Sequence, residues 1–270
     1  MEFRSSLHKS VQDILEDIEA LTGKGFRFIE KLDMIEFAGV KAARANMAEH
    51  IIIYKPEHNK LINHLLAHEC GHLKRMFETP PEKRFSVAIT NEIKGKALRK
   101  IENEIHDLAK RIGEDKTIRF TNMMYDGTVR QLTNQPIDLL IEKWLYNDYP
   151  NLRSIQLDSL VEQNRLALQG ASKDVKKIIP SFFYNKANLM NAAYTDLLSQ
   201  VVRYKLVRDW KKLDFYAESK SLSLILNIDK GWMPEEDYEK VNAWAELLDL
   251  HDFFMWSPFE DIPPDYIKIN

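Results

Sequence analysis

The chain has 270 residues, with 38 Lys and Arg against 41 Asp and Glu, a formal charge of −3, 44% hydrophobic and 29% charged residues. That length can bury a sizeable core, and the balance excludes a disordered or fibrous chain and lacks the basic excess of a dedicated nucleic-acid binder. Apolar runs extend only a few residues, as at 51–53, so no segment spans a bilayer. The N-terminus passes into a charged amphipathic stretch and not an apolar secretory core, and the single cysteine, Cys70, excludes an intrachain disulfide framework. These features point to a reducing, cytoplasmic setting.

In chain order, Val11, Ile14, Leu15, Ile18 and Leu21 recur at helical spacing, with Gly23 and Gly25 as stop signals. Residues 26–29 and 33–37 read as short strands, and the β-branched run 50–54, closed by Pro56, as a stronger one. A helix is predicted over 61–77, ending before Pro80 and Pro81. Leu98, Ile101, Ile105, Leu108 and Ile112 predict one long helix closed by Gly113. Residues 117–133 are ambiguous between strand and loop around Asp126 and Gly127. A helix is then expected from about Asn134, with Pro136 in its first turn, to Tyr146. Beyond Pro150 the pattern is helical, marked by Leu157, Leu160 and Val161 and by a longer run from Leu189 to Val202. The aromatic and proline-rich stretch 256–264 forms a terminal strap expected to tuck over the core. The fold class predicted is α+β and mostly helical. Residues 1–150 would carry a small mixed sheet, and 151–270 would form an all-α region.

One stretch carries chemistry: Ala67-His68-Glu69-Cys70-Gly71-His72-Leu73. His68 and His72 stand four apart on a predicted helix, so both imidazoles leave one face a turn apart and can reach one metal ion at about 2.0–2.1 Å. Glu69 projects roughly 100° around the axis from His68, beside the metal and free to take a proton from an attacking water. Zinc suits such donors and tolerates an open fourth position. Gly71 would let a neighbouring element approach closely. Cys70 faces away from both histidines and reads as a small buried side chain.

With this HExxH helix the chain resembles the zincin metallopeptidases. The resemblance covers the strand 50–54, the motif helix and a downstream helix. It implies a zincin-like N-terminal half, and in that superfamily a strand beside the cleft pairs with extended substrate, a role that 50–54 matches in order and composition. Arg75 and Glu78 stand where the metzincin subclass requires Gly and His, so that subclass does not apply, and Lys74 departs from the apolar residue usual near the motif's end.

A third ligand is needed. His64 repeats the four-residue spacing, but residues eight apart lie about 12 Å apart along a helix, too far for His64 to share an ion with His72. It reads as a supporting or exposed residue. Glu142 is the leading choice, because its helix is otherwise crowded with apolar residues and a carboxylate there is costly to bury unless paired or bound to metal. Its order in the chain also matches the downstream helix of the Glu-ligand zincins. Asp138, one turn earlier, would then orient one histidine. Glu104, Asp138, Glu78 and, on the intervening segment, Glu92 are rivals. Tyr125, Arg130 and His106 are candidates for stabilising an oxyanion, with Tyr125 first.

The function expected is a zinc-dependent peptidase acting on a peptide or protein, with His68, His72 and Glu142 as ligands and Glu69 as general base. The resemblance further implies a regulatory protease of the ImmA/IrrE type, although no helix-turn-helix segment is evident. Two other classes stand beside it. One is a non-catalytic module on the same fold that binds a protein or DNA partner, and an intact Glu69 argues against it. The other is a DNA-associated regulator with a structural metal, using the basic run of Arg203, Lys205, Arg208, Lys211 and Lys212.

Overall fold

A computed structural model describes residues 2–34, 36–226 and 232–262. After a helical turn α1 (Glu2–Ser5), helix α2 (Lys9–Thr22) buries Val11, Ile14, Leu15 and Ile18 and ends at Gly23, whose φ of 67° suits a residue without Cβ. Strands β1 (Gly25–Glu30), β2 (Ala38–Lys41) and β3 (Glu49–Tyr54) form a mixed sheet in the order β1-β3-β2, with β1 parallel and β2 antiparallel to β3. The strand expected over 33–37 therefore lies a few residues later. More consequentially, β3 is the central strand, so the segment 50–54 has both edges paired and cannot take up a substrate strand. The edge strands are β1 and β2, each paired on one side only among the described residues.

Helix α3 (Ile62–Glu78) carries the histidine motif. Strand β4 (Phe85–Ala88) follows, then α4 (Asn91–Arg99) and α5 (Glu102–Ile112), so the single helix expected through 98–112 is broken at Lys100 and Ile101. Helix α6 (Glu114–Asp148) is continuous for 35 residues, which corrects the strand-and-loop expectation for 117–133 and the helix start near Asn134. Its buried face is set partly by Thr117, Thr121, Thr128 and Thr133 at helical spacing, β-branched polar residues that hide an amphipathic pattern from sequence. Pro136 sits inside it and removes one backbone donor.

The rest of the chain forms α7 (Arg153–Gly170), α8 (Lys173–Ile178), α9 (Ser181–Val201), α10 (Phe215–Ile225) and α11 (Asp237–Leu247). The C-terminal region is not purely helical: β5 (Met255–Pro258) pairs antiparallel with β4. Phe253, Phe254 and Phe259 around it are buried, as a strap over the core requires, while Pro263 and Pro264 lie outside the described residues. No described helix is long and apolar enough to cross a membrane.

Two apolar cores result. The first joins α2, β3 and α3 with Ile141 and Leu145 of α6, Leu152 and Phe259, and it encloses Cys70. The second joins α4 to α11 around Tyr125, Phe183, Met190, Trp244 and Phe253. Helix α6 contributes to both. It meets α3 at Gly71, where an added Cβ would run into Ile141 Cγ2 and stand 3.1 Å from Cγ1. Replacing Gly71 by Ala should therefore cost about 2 kcal/mol in urea unfolding, and less when introduced into an Ile141→Ala background, which lacks both Cγ atoms that the new methyl meets; an unchanged midpoint would refute the close helix contact.

His50 on β3 is fully buried. Its Nδ1 accepts from the Ala43 N–H at 2.9 Å, so Nε2 carries the proton toward Thr22 Oγ1 at 3.0 Å. Burial, helped by Lys24, lowers its pKa to about 4, against 6.5 ordinarily. The neutral ring's contribution to stability is complete above pH 6.5 and is lost as pH falls from there toward 4. By pH 4.5 it amounts to a loss on the order of 2 kcal/mol. His50→Gln should flatten that part of the stability profile; parallel profiles for the two proteins would contradict the assignment.

Candidate metal centre

Helix α3 projects His64, His68 and His72 toward α6, which answers with Asp138 and Glu142 one turn apart. These residues form two overlapping groups, His64–His68–Glu142 and His68–His72–Asp138, each with donor atoms within 4.8 Å of one another. His68 belongs to both because its two nitrogens face different carboxylates.

Glu142, only 1% exposed, is fully engaged by hydrogen-bond donors. His68 Nδ1 lies 2.7 Å from its Oε1, and His64 Nε2 lies 3.1 and 3.0 Å from its two oxygens. Gln156 Nε2 donates to Oε2 at 2.6 Å and to the Glu142 backbone carbonyl at 2.9 Å. Burial alone would push the Glu142 carboxyl up, but His64 and His68 hold it well below the usual carboxylate range. A carboxylate in this position fixes the His68 tautomer with the proton on Nδ1.

With Nδ1 committed to Glu142, His68 Nε2 faces Asp138 Oδ1 at 3.4 Å, and His72 Nε2 lies 3.1 Å from the same oxygen. Asp138 Oδ1 is buried and makes no hydrogen bond of acceptable geometry. Ligands bound tetrahedrally at about 2.0–2.1 Å stand about 3.3 Å apart, so both spacings fit donors grouped around one cation. Burial would raise the Asp138 carboxyl, yet the two imidazoles hold it well below its ordinary range. Burial likewise opposes a charged His68 ring, which Asp138 and Glu142 on its two sides nonetheless hold well above imidazole's ordinary value. The site thus presents concentrated negative charge to a cation.

A cavity of about 560 Å³ opens on this group. His68, Glu69, His72 and Asp138 line it, as do Ala38, Gly39 and Val40 of β2; Glu142 does not. Asp138 thus faces the cavity beside His68 and His72, while Glu142 lies behind His68 with His64. Burial raises the Glu69 carboxyl, partly offset by His72 and His68, which makes it a better proton acceptor than an exposed glutamate. His64 is buried and not exposed; it reaches the cavity wall and groups with His68 and Glu142.

Tyr125 does not join the site. It is fully buried in the second core, stacked on Phe253, and its hydroxyl donates to the Phe253 carbonyl. His106 is exposed on α5, and Glu92 is exposed at the start of α4. Glu104 accepts from the Phe182 N–H at 3.4 Å, and Glu78 pairs with Lys74 and Trp232. Of the oxyanion candidates only Arg130 lines the cavity, where it pairs with Glu36 from the β1–β2 connection. Sequence reasoning missed Gln156 and the reach of Tyr194, a phenol on α9 pushed well above its ordinary value by burial and by the charges of Glu142 and Asp138. Neither stands in a recognisable motif.

Comparison with protein-family models, curated proteins and solved structures gives no match to this chain. Tyr125→Phe removes a core hydrogen bond and nothing from the cavity. It should cost about 1 kcal/mol of stability and leave metal content unchanged; loss of metal would return Tyr125 to the site.

Proposed function

We propose that the protein is a zinc-dependent peptidase of the zincin type, with His68, His72 and Asp138 holding the metal and Glu69 as general base. The observation that carries this reading is the grouping of two imidazole nitrogens around one unpartnered carboxylate oxygen on a cavity wall that also holds Glu69. Three protein ligands leave the open coordination position that a catalytic zinc requires. When bound, the ion would polarise the scissile carbonyl and acidify a water.

The chain's own residues supply the other parts. Glu69 takes the proton of the attacking water and passes it to the leaving amine. Glu142, anchored by His64 and Gln156, keeps the His68 ring turned so that Nε2 faces the cavity. The free edge of β2, beside the same cavity, offers backbone groups to an extended peptide or protein segment. Arg130, which lines the same cavity, is a candidate donor toward a polarised carbonyl.

Elemental analysis of the purified protein should find zinc at near-stoichiometric level, lost in His68→Ala, His72→Ala and Asp138→Ala. Glu142→Gln should keep the metal with affinity weakened about 10–100-fold. Glu69→Gln should retain zinc while peptide hydrolysis falls by about 10²–10⁴. An emptied site in Glu142→Gln with zinc retained in Asp138→Ala would exchange the two carboxylates. Bound zinc without hydrolysis of any peptide would favour a non-catalytic binding module.

A further inference from the structure

A second pocket, of about 130 Å³, adjoins the first and shares His72 and Met76 with it. Its wall carries three cationic side chains: Arg75, one turn beyond His72 on α3, with Lys83 and Arg84 from the connection to β4. One carboxylate, Asp237 of α11, compensates one of them. It takes Arg75 Nε at 2.7 Å and Nη2 at 2.5 Å. Arg75 is 2% exposed, and its Nη1 has no hydrogen-bond partner. A buried guanidinium with an idle nitrogen is costly unless something accepts from it.

The other two charges lack ion-pair partners. Arg84 donates to the Thr79 and Phe77 carbonyls at 2.8 and 2.9 Å, which fixes its direction without neutralising it. No described carboxylate forms an ion pair with Lys83 or Arg84; Glu260 and Glu82 act on Arg84 only through longer-range attraction. The pocket leaves room for a short carboxylate-bearing side chain. Its position beside His72 places any occupant next to the bond being cut.

We propose that this pocket receives a carboxylate carried by the residue flanking the scissile bond, so that the protein selects peptides with Asp, Glu or a free C-terminus at that point. The inference rests on the peptidase reading above. Guanidinium recognises a carboxylate by directed N–H donation, and a lysine at the rim adds charge without geometric demand.

The test uses the full-length, zinc-loaded Glu69→Gln protein and fluorescein-labelled heptapeptides, read by anisotropy. The peptides differ only by Glu or Gln at successive positions, each prepared with an amidated and a free C-terminus. At one position Glu should bind at least tenfold more tightly than Gln. Lys83→Glu, with unchanged zinc content, should reduce that preference to threefold or less. A preference that survives amidation assigns the pocket to an acidic side chain, and one that requires the free terminus assigns it to a chain end. Equal affinity for Glu and Gln peptides with either terminus, no binding of any peptide, or a preference untouched by Lys83→Glu overturns the proposal. Failure of the peptidase reading is seen separately, as no cleavage of the same peptides by the unsubstituted protein.

Discussion

The closeness of α3 and α6 at Gly71 is the constraint on which the site depends. With no side chain at Gly71, Ile141 packs directly onto the motif helix. Residues 138 and 142 flank Ile141 on α6, and 68 and 72 flank Gly71 on α3. The contact therefore brings two carboxylates to within bonding distance of the three histidines. A helix separation larger by one methyl group would loosen every one of those distances, since they are set by rigid helices and not by loops.

Electrostatics then divides the labour between the carboxylates. Both are buried enough that solvation is lost, and each must be compensated by the protein or by a cation. Glu142 is compensated from within by His64, His68 and Gln156, so it has no need of an ion. Asp138 Oδ1 makes no hydrogen bond and is faced only by the His68 and His72 Nε2 atoms at 3.4 and 3.1 Å. The difference lies in hydrogen-bond satisfaction, and the two residues are four apart on one helix, so their spacing in sequence carries no information about it.

This explains what was and was not legible in the sequence. The pairing of His68 with His72, the adjacent Glu69, the close approach at Gly71 and the burial of Cys70 follow from a 3.6-residue period and could be read directly. So could the involvement of both Asp138 and Glu142. Their roles could not, because Gln156 and His64, which decide them, are ordinary residues until tertiary contact is made. Tyr125 was misplaced because 117–133 hides its helical face behind buried threonines, and the phase of α6 determines which side chains reach the cavity. The central position of β3 was hidden for a similar reason: strand order is a property of the crossover, not of composition.

The cavity lies against the first core, and ties to distant elements determine how firmly it is held. Arg75 reaches from the motif helix to Asp237 of α11, Arg130 of α6 pairs with Glu36 beside β2, and Phe259 of the C-terminal strap packs into the first core under Arg44. Each tie joins a residue near the histidines to an element far away in sequence. Preorganised catalytic groups require supporting contacts of this kind, because a misplacement of about 1 Å in a ligand or base can cost two orders of magnitude in rate. The helical C-terminal region thus acts on the cavity as a frame, tying α3 and α6 to elements distant in sequence.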